Sequence, residues 1–419
     1  MKGKLFAKPG TLVMAGLSPF SRVFGWDGQE GPPRRFWQLV LLSITAAASG
    51  WFLGGEKGTV WAIDHVLFKQ DGELLSLSGR ILVEGQDGSL LLETRDTRYW
   101  VIPPEVLVNR RRDEEPFRFL SYEELARQFR QELGEAFSVR RTANYLILYN
   151  CGESYAAWCG WLLERLYMAF TTFWSRRGVP IRQPETPLVA IIFPTNSAFV
   201  QYARKDAGEA AAAIIGYYHL EKNFTVLYDL TETSAVSPSA ARRSLAEINR
   251  LLAHPEAYRA VATVVHEATH QLCYNTGLFS RLTENPLWLA EGIAMFFETP
   301  DLQSTAGWRS VGEVNPKRLE DFHKLRARGG GGSLLSLIRS DDRFRETTTA
   351  LEAYAEAWAL CYFLLRRYPQ KMASYVKLVG QRPPMETYPA TRRVEDFEQN
   401  FGPLPALEAE FLRFMERVR

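Results

Sequence analysis

The sequence predicts an α+β protein, and three observations carry that reading. Near the start, apolar residues alternate with polar ones in short runs broken by Asp-Gly pairs, the period of half-buried strands. In the middle, short wholly apolar runs at Tyr145–Tyr149 and Leu188–Phe193 are each followed by a helical pattern. Beyond Ser244 nearly everything follows helical spacing. The 419 residues suffice for two or three domains and a sizeable core. With 46% hydrophobic and 23% charged residues, the composition excludes a disordered, collagen-like or multi-span membrane chain. Fifty basic against 48 acidic residues leave a formal +2, so no global field points to nucleic acid and function belongs to a local site.

The N-terminal residues carry an export pattern. Phe36 to Leu53 is free of charge and follows Arg34, Arg35 and the scattered Lys2, Lys4, Lys8 and Arg22, the basic flank and apolar run of a signal peptide or membrane anchor. Ala46 and Ala48 offer an A-x-A cleavage pattern, whereas the whole run is long enough to stay as a single tilted anchor; a buried core helix is the third reading. Under the first two, residues 1–54 are the leader. Everything after them is then expected outside the cytoplasm: secreted, periplasmic, or anchored and facing outward.

Residues 55–115 read as a small β module with hairpin turns at Asp71-Gly72 and Asp87-Gly88. Its closing run, Arg110 to Glu115, mixes charges before Pro116 and reads as a solvated linker rather than a docking patch. Residues 116–419 form the larger domain. A short helix near Tyr122–Leu133 precedes the Tyr145–Tyr149 strand and a long helix from Ser154 to Trp174, whose stripe through Trp158, Trp161, Leu162, Arg165, Leu166, Ala169 and Phe173 suits packing. After the Leu188–Phe193 strand, Thr195 or Asn196 caps a helix to about Lys205. Ile214–Tyr218 and Phe224–Leu230 then form a hairpin, either at a sheet edge or buried within the sheet, with Gly216 allowing close backbone approach. Residues 116–277 thus supply the sheet and one key helix, and 278–419 a helical lower half. Gly329 to Gly332 reads as a flexible loop, since no Lys-Ser or Lys-Thr follows it. The four cysteines, Cys151, Cys159, Cys273 and Cys361, are too few for a disulfide scaffold and read as buried thiols, a single bridge from Cys151 or Cys273 remaining open.

The key helix contains His266-Glu267-Ala268-Thr269-His270. Residues four apart on a helix lie on one side, so both imidazoles can share a metal while Glu267 stands beside its open position. With six histidines in the chain, only about 0.01 chance matches to His-Glu-x-x-His are expected. A catalytic zinc needs a third protein ligand. Glu291 in Trp288-Leu289-Ala290-Glu291-Gly292 is the candidate, because an unpaired acid in an otherwise apolar helix is costly. Glu298 reads equally as a support for that site or as a solvated helix end. His219, Tyr217 and Tyr218 are weaker candidates, and His65, His254 and His323 show no partner pattern.

The pair HEATH and WLAEG resembles the gluzincin metallopeptidases, and WLAEGIAMFFE is similar to a segment of the membrane-alanyl-aminopeptidase group. From about Tyr145 to the end, the chain more closely resembles an uncharacterised domain family built on a peptidase-MA-like, zincin-like fold. That resemblance rests on YNCGESYAAWCGWLLERLYMAFTTFW, LVAIIFPTNSAFVQYA, IIGYYHLEKNFTVLYDLT, the HEATH helix, WLAEGIAMFFE and AYAEAWALCYFLLRRYP. It implies a Zn2+ held by His266, His270 and Glu291, Glu267 as general base turned acid, and a peptide or protein substrate. It also implies an oxyanion donor on a downstream helix, for which Tyr354 is the candidate; Tyr354, Trp358 and Leu365 equally fit a core-facing stripe. Two departures stand out. No G-x-M-E-N segment precedes HEATH, so aminopeptidase activity is not implied, and Met295 stands where thermolysin-like enzymes carry an aspartate that supports a histidine ligand. The expectation is a zinc-dependent peptidase. The rival readings are a binding or structural protein of the cell envelope that kept the fold without turnover. Oligomeric state is not legible.

Overall fold

In the computed structural model, residues 61–231, 243–254, 257–304, 308 and 311–419 are described. The Phe36–Leu53 run lies outside them, and no helix among the described residues is long and apolar enough to cross a membrane. The architecture is α+β with two sheets, as the sequence predicts.

The first sheet is antiparallel. Its strands are β1 (Ala62–Gln70), β2 (Glu73–Glu84), β3 (Leu90–Thr94), β4 (Tyr99–Ile102) and β5 (Leu107–Pro116), in the order β4-β3-β2-β1-β5. Asp71 (φ 51°) and Gly72 (φ 85°) make the two-residue turn between β1 and β2, both left-handed as that turn requires. Val66, Phe68, Ile81, Leu90, Leu92 and Ile102 fill a small core of their own. The Arg110–Glu115 run is not a linker. It lies within β5 and pairs with β1, His65 opposite Arg111, because its charges find partners across the sheet. Arg112 grips the buried Asp64 through two hydrogen bonds of 3.0 and 3.1 Å, and Asp113 meets His65 at 2.8 Å. Mixed charge on an edge strand is pairing chemistry here.

Helix α1 (Tyr122–Leu133), closed by a Ser121–Glu124 capping box, leads to the second sheet. Its strands β6 (Ser138–Arg141), β7 (Tyr145–Tyr149), β8 (Leu188–Phe193), β9 (Tyr217–His219) and β10 (Phe224–Tyr228) run in the order β6-β7-β8-β10-β9. The central pairs β7·β8 and β8·β10 are parallel, and both flanking pairs are antiparallel. Almost every residue of the three central strands is buried, as parallel strands covered on both faces require. Helices α2 (Glu153–Ser175) and α3 (Asn196–Ala207, N-capped by Thr195) supply the crossovers.

The remainder is helical: α4 (Leu245–Leu252), α5 (Tyr258–Asn275), α6 (Leu287–Phe296), α7 (Pro316–Ala327), α8 (Leu334–Arg339), α9 (Asp342–Arg345), α10 (Ala350–Arg367), α11 (Pro369–Gly380), α12 (Ala390–Phe401) and α13 (Leu404–Met415). Two contacts fasten α5 to the sheet: Gln271 donates to the Val189 carbonyl (3.0 Å) and accepts from the Thr225 hydroxyl (3.2 Å). At its far end Gly277 takes φ 79°, letting the chain turn back toward α6. Gly292 lets α6 and α10 touch, for a Cβ there would sit 2.3 Å from the Cys361 sulfur and 2.7 Å from the Ala357 carbonyl oxygen. All four cysteines are free thiols, three of them buried.

Candidate metal centre

His266 and His270 project from one side of α5, and Glu291 comes to meet them from α6. His266 Nε2 lies 3.1 Å from His270 Nε2 and 3.1 Å from Glu291 Oε2, and His270 Nε2 lies 3.6 Å from Glu291 Oε1. A tetrahedral zinc with bonds of 2.0–2.1 Å would set its ligand atoms about 3.3 Å apart, so this spacing suits the ligand shell of such an ion. Glu291 is wholly buried, yet its Oε1 accepts no hydrogen bond. A buried carboxylate oxygen left without a donor is costly unless a cation takes its lone pair. The buried His-His-Glu group can therefore hold a metal ion.

The structure also places Glu298, for which the sequence left two readings open. Just past the end of α6, it is buried and accepts from His266 Nδ1 at 2.9 Å. Arg318 of α7 holds the same carboxylate with Nε (3.1 Å) and Nη2 (2.8 Å), and Asn315 adds a third donor at 3.0 Å. With Nδ1 committed to Glu298, Nε2 of His266 is turned toward His270 and Glu291. The carboxylate that orients His266 thus stands three residues beyond Met295.

Glu267 is buried beside this cluster, and its Oε2 accepts the Tyr218 backbone N–H of β9 at 3.0 Å. Burial raises its pKa; the imidazoles of His266 and His270 pull it down, Glu291 pushes it up, and the Tyr218 amide opposes. Burial also opposes charge on His266, but hydrogen bonds to Glu291 and Glu298 and the nearby carboxylates outweigh it and hold the ring at about 10. Burial likewise raises Glu291, and the two histidines overcome that and bring it down to about 2.

The hairpin of the sequence analysis resolves into two faces. By strand order β9 is the sheet edge, and its Tyr218 amide points away from β10 toward Glu267. Gly216 makes its close approach to β10 itself, a Cβ there meeting the Leu227 side chain at 2.7 Å and the Val226 carbonyl at 3.0 Å. Tyr217 and His219 face away from the site toward Asp206 of α3, Tyr217 donating to it at 2.7 Å. Tyr218 stacks on Tyr274 with centroids 6.0 Å apart. Tyr274 was missed, although it lies four residues after His270 on the face carrying both histidines. Tyr354 is buried on α10, the helix packed against α6, with its ring edge-on to Phe344 at 5.3 Å. His65, without a partner pattern in the sequence, bridges Ser78 and Asp113 across the first sheet at 2.8 Å each.

Residues 260–386 match a family described as a protein of unknown function, DUF1570. The matched span contains His266, Glu267, His270, Glu291, Glu298, Arg318 and Tyr354, so the similarity coincides with the site. No curated protein matches the chain.

Proposed function

We propose that the protein is a zinc-dependent peptidase of gluzincin type, acting outside the cytoplasm on peptide or protein substrates. The observation that carries this reading is the convergence of His266, His270 and Glu291 with a fourth, acidic group, Glu267, buried against them and bonded to none of the three. A zinc ion held by the three ligands would supply Lewis acidity, lowering the pKa of water and polarising the scissile carbonyl. Glu267, raised by burial toward the range of an effective base, accepts the water proton and passes it to the leaving amine. Glu298, locked by Arg318, holds His266 in its ligand orientation. Tyr354 is the candidate donor to the developing oxyanion.

One observation favours a second reading, a domain stabilised by metal but without turnover. His266, Glu267, His270 and Glu291 are at most 5% exposed, which suits a closed structural site as well as a narrow cleft. Glu267→Gln separates the two. It keeps shape and leaves all three ligands, so metal content should stay at one ion per chain while hydrolysis of a mixed peptide library drops at least about a hundredfold. His270→Ala should lose the metal. Equal hydrolysis by Glu267→Gln and wild type removes the peptidase reading, and full metal retention in both His270→Ala and Glu291→Ala removes the site.

A further inference from the structure

The N-terminal β module reaches the candidate centre through one continuous set of polar contacts. The turn between β3 and β4 presents Thr97, a β-branched residue held left-handed at φ 69°. That conformation is strained for a side chain branched at Cβ and persists only where its surroundings enforce it. Both of its outward polar groups are engaged by the larger domain. The Thr97 carbonyl accepts from Arg281 Nη2 at 2.9 Å, and the Thr97 hydroxyl accepts from Asn223 Nδ2 at 2.9 Å.

These two partners hold the turn between β9 and β10. Arg281, from the segment joining the two ligand-bearing helices, donates to the Leu220 carbonyl at 3.2 Å while its guanidinium lies 3.8 Å from the Tyr99 ring centroid. The Tyr99 amide of β4 donates to the Glu221 carbonyl at 2.9 Å. Asn223, itself left-handed at φ 58°, accepts from the Tyr218 hydroxyl (2.7 Å) and bonds Asn275 of α5. Tyr218 is the residue whose amide holds Glu267. The chain of contacts therefore runs from Thr97 through Arg281 and Asn223 to β9, and from β9 to the acid beside the ligands.

We propose that Thr97 and Arg281 are positioning residues: the β3–β4 turn of the N-terminal module sets the height and register of edge strand β9 beside the candidate metal centre. The kinetic consequence rests on the peptidase reading; the structural one does not. Leu220 is held by Arg281 and the Tyr218 amide by Glu267, so the edge of β9 is left with the Tyr218 carbonyl to offer an extended substrate. Loosening the turn should therefore weaken alignment of substrate before it affects metal.

The test uses the full chain with its metal, in Thr97→Gly, Thr97→Ser and Arg281→Met. Glycine relieves the left-handed strain and deletes the hydroxyl, so a folding defect is not expected; serine keeps the hydroxyl and serves as the rescue. Deuterium exchange of the peptide containing the Tyr218 amide should accelerate about tenfold in Thr97→Gly and Arg281→Met and stay near wild type in Thr97→Ser, with the module core unchanged. On a peptide that the wild type hydrolyses, KM should rise about fivefold at unchanged metal content. Unchanged Tyr218 exchange in both disruptive variants overturns the proposal. So does a fall in kcat that merely tracks the folded fraction at constant KM, since that is destabilisation alone. If the wild type hydrolyses nothing, the peptidase reading fails, and the exchange arm decides the positioning by itself.

Discussion

Glu298 shows how a buried carboxylate just beyond a helix can orient a candidate ligand histidine. Glu298 stands seven residues after Glu291, close to two helical turns, which keeps both carboxylates on one side and delivers one to each nitrogen of His266. Replacing Glu298 by alanine should free Nδ1, leave the half-buried Arg318 without this partner, and weaken metal binding about 10- to 100-fold. Competition against a chelator measures it, and wild-type affinity would show that Glu298 contributes only to packing. Tyr354→Phe is the sharper question on α10. A lower hydrolysis rate with metal and folding intact supports the oxyanion role, and a wild-type rate returns Tyr354 to its contact with Phe344. The convergence of His266, His270 and Glu291 was legible because the spacing on α5 and the cost of an acid in an apolar helix are both written in side chains. The Tyr218 contact to Glu267 was not, since a backbone amide has no sequence signature. Tyr274, which stacks on Tyr218, is legible as well, four residues after His270 on the same face of α5.

Among the elements, α6 depends on a residue with no side chain. A Cβ at Gly292 would fall within 2.3 Å of the Cys361 sulfur and 2.7 Å of the Ala357 carbonyl oxygen, which belongs to backbone and cannot rotate away. Gly292→Ala should therefore push α6 from α10, destabilise the fold by about 1–3 kcal/mol, and displace the adjacent Glu291. A lowered Tm together with a lowered metal stoichiometry is the expected outcome; an unaltered Tm would mean the helices separate freely. The apolar strands Tyr145–Tyr149 and Leu188–Phe193 were read to their ends because wholly buried strands announce themselves. The polar edge strands were not. β6 is four residues with two arginines, and β5 carries six consecutive charged residues, so neither has a hydrophobic period to read. Their identity comes from partners distant in sequence, as Arg112 finds Asp64 and Ser138 pairs with Tyr149.

At the scale of the whole molecule, the second sheet and the helical remainder meet at one strongly charged, buried point, and pH should act on that point in opposite senses with and without metal. Stripped of metal by a chelator, the folded protein holds His266 at about 10, against about 6.5 for an unfolded histidine. The folded state then binds the proton more tightly. Its stabilisation is fully present below about pH 6.5, declines as the pH rises, and is lost through the folded value near 10. A metal ion needs that same nitrogen without its proton, so metal affinity should climb with pH over this window. The difference in Tm between loaded and stripped protein should accordingly widen from pH 6 to pH 9, since a ligand that binds only the folded state stabilises it in proportion to the logarithm of its affinity. In Glu298→Gln the neutral amide no longer holds the His266 proton, and the widening should shrink. A Tm difference independent of pH in the wild type would mean that His266 carries no proton in the stripped protein, and that the three carboxylates around it are balanced elsewhere.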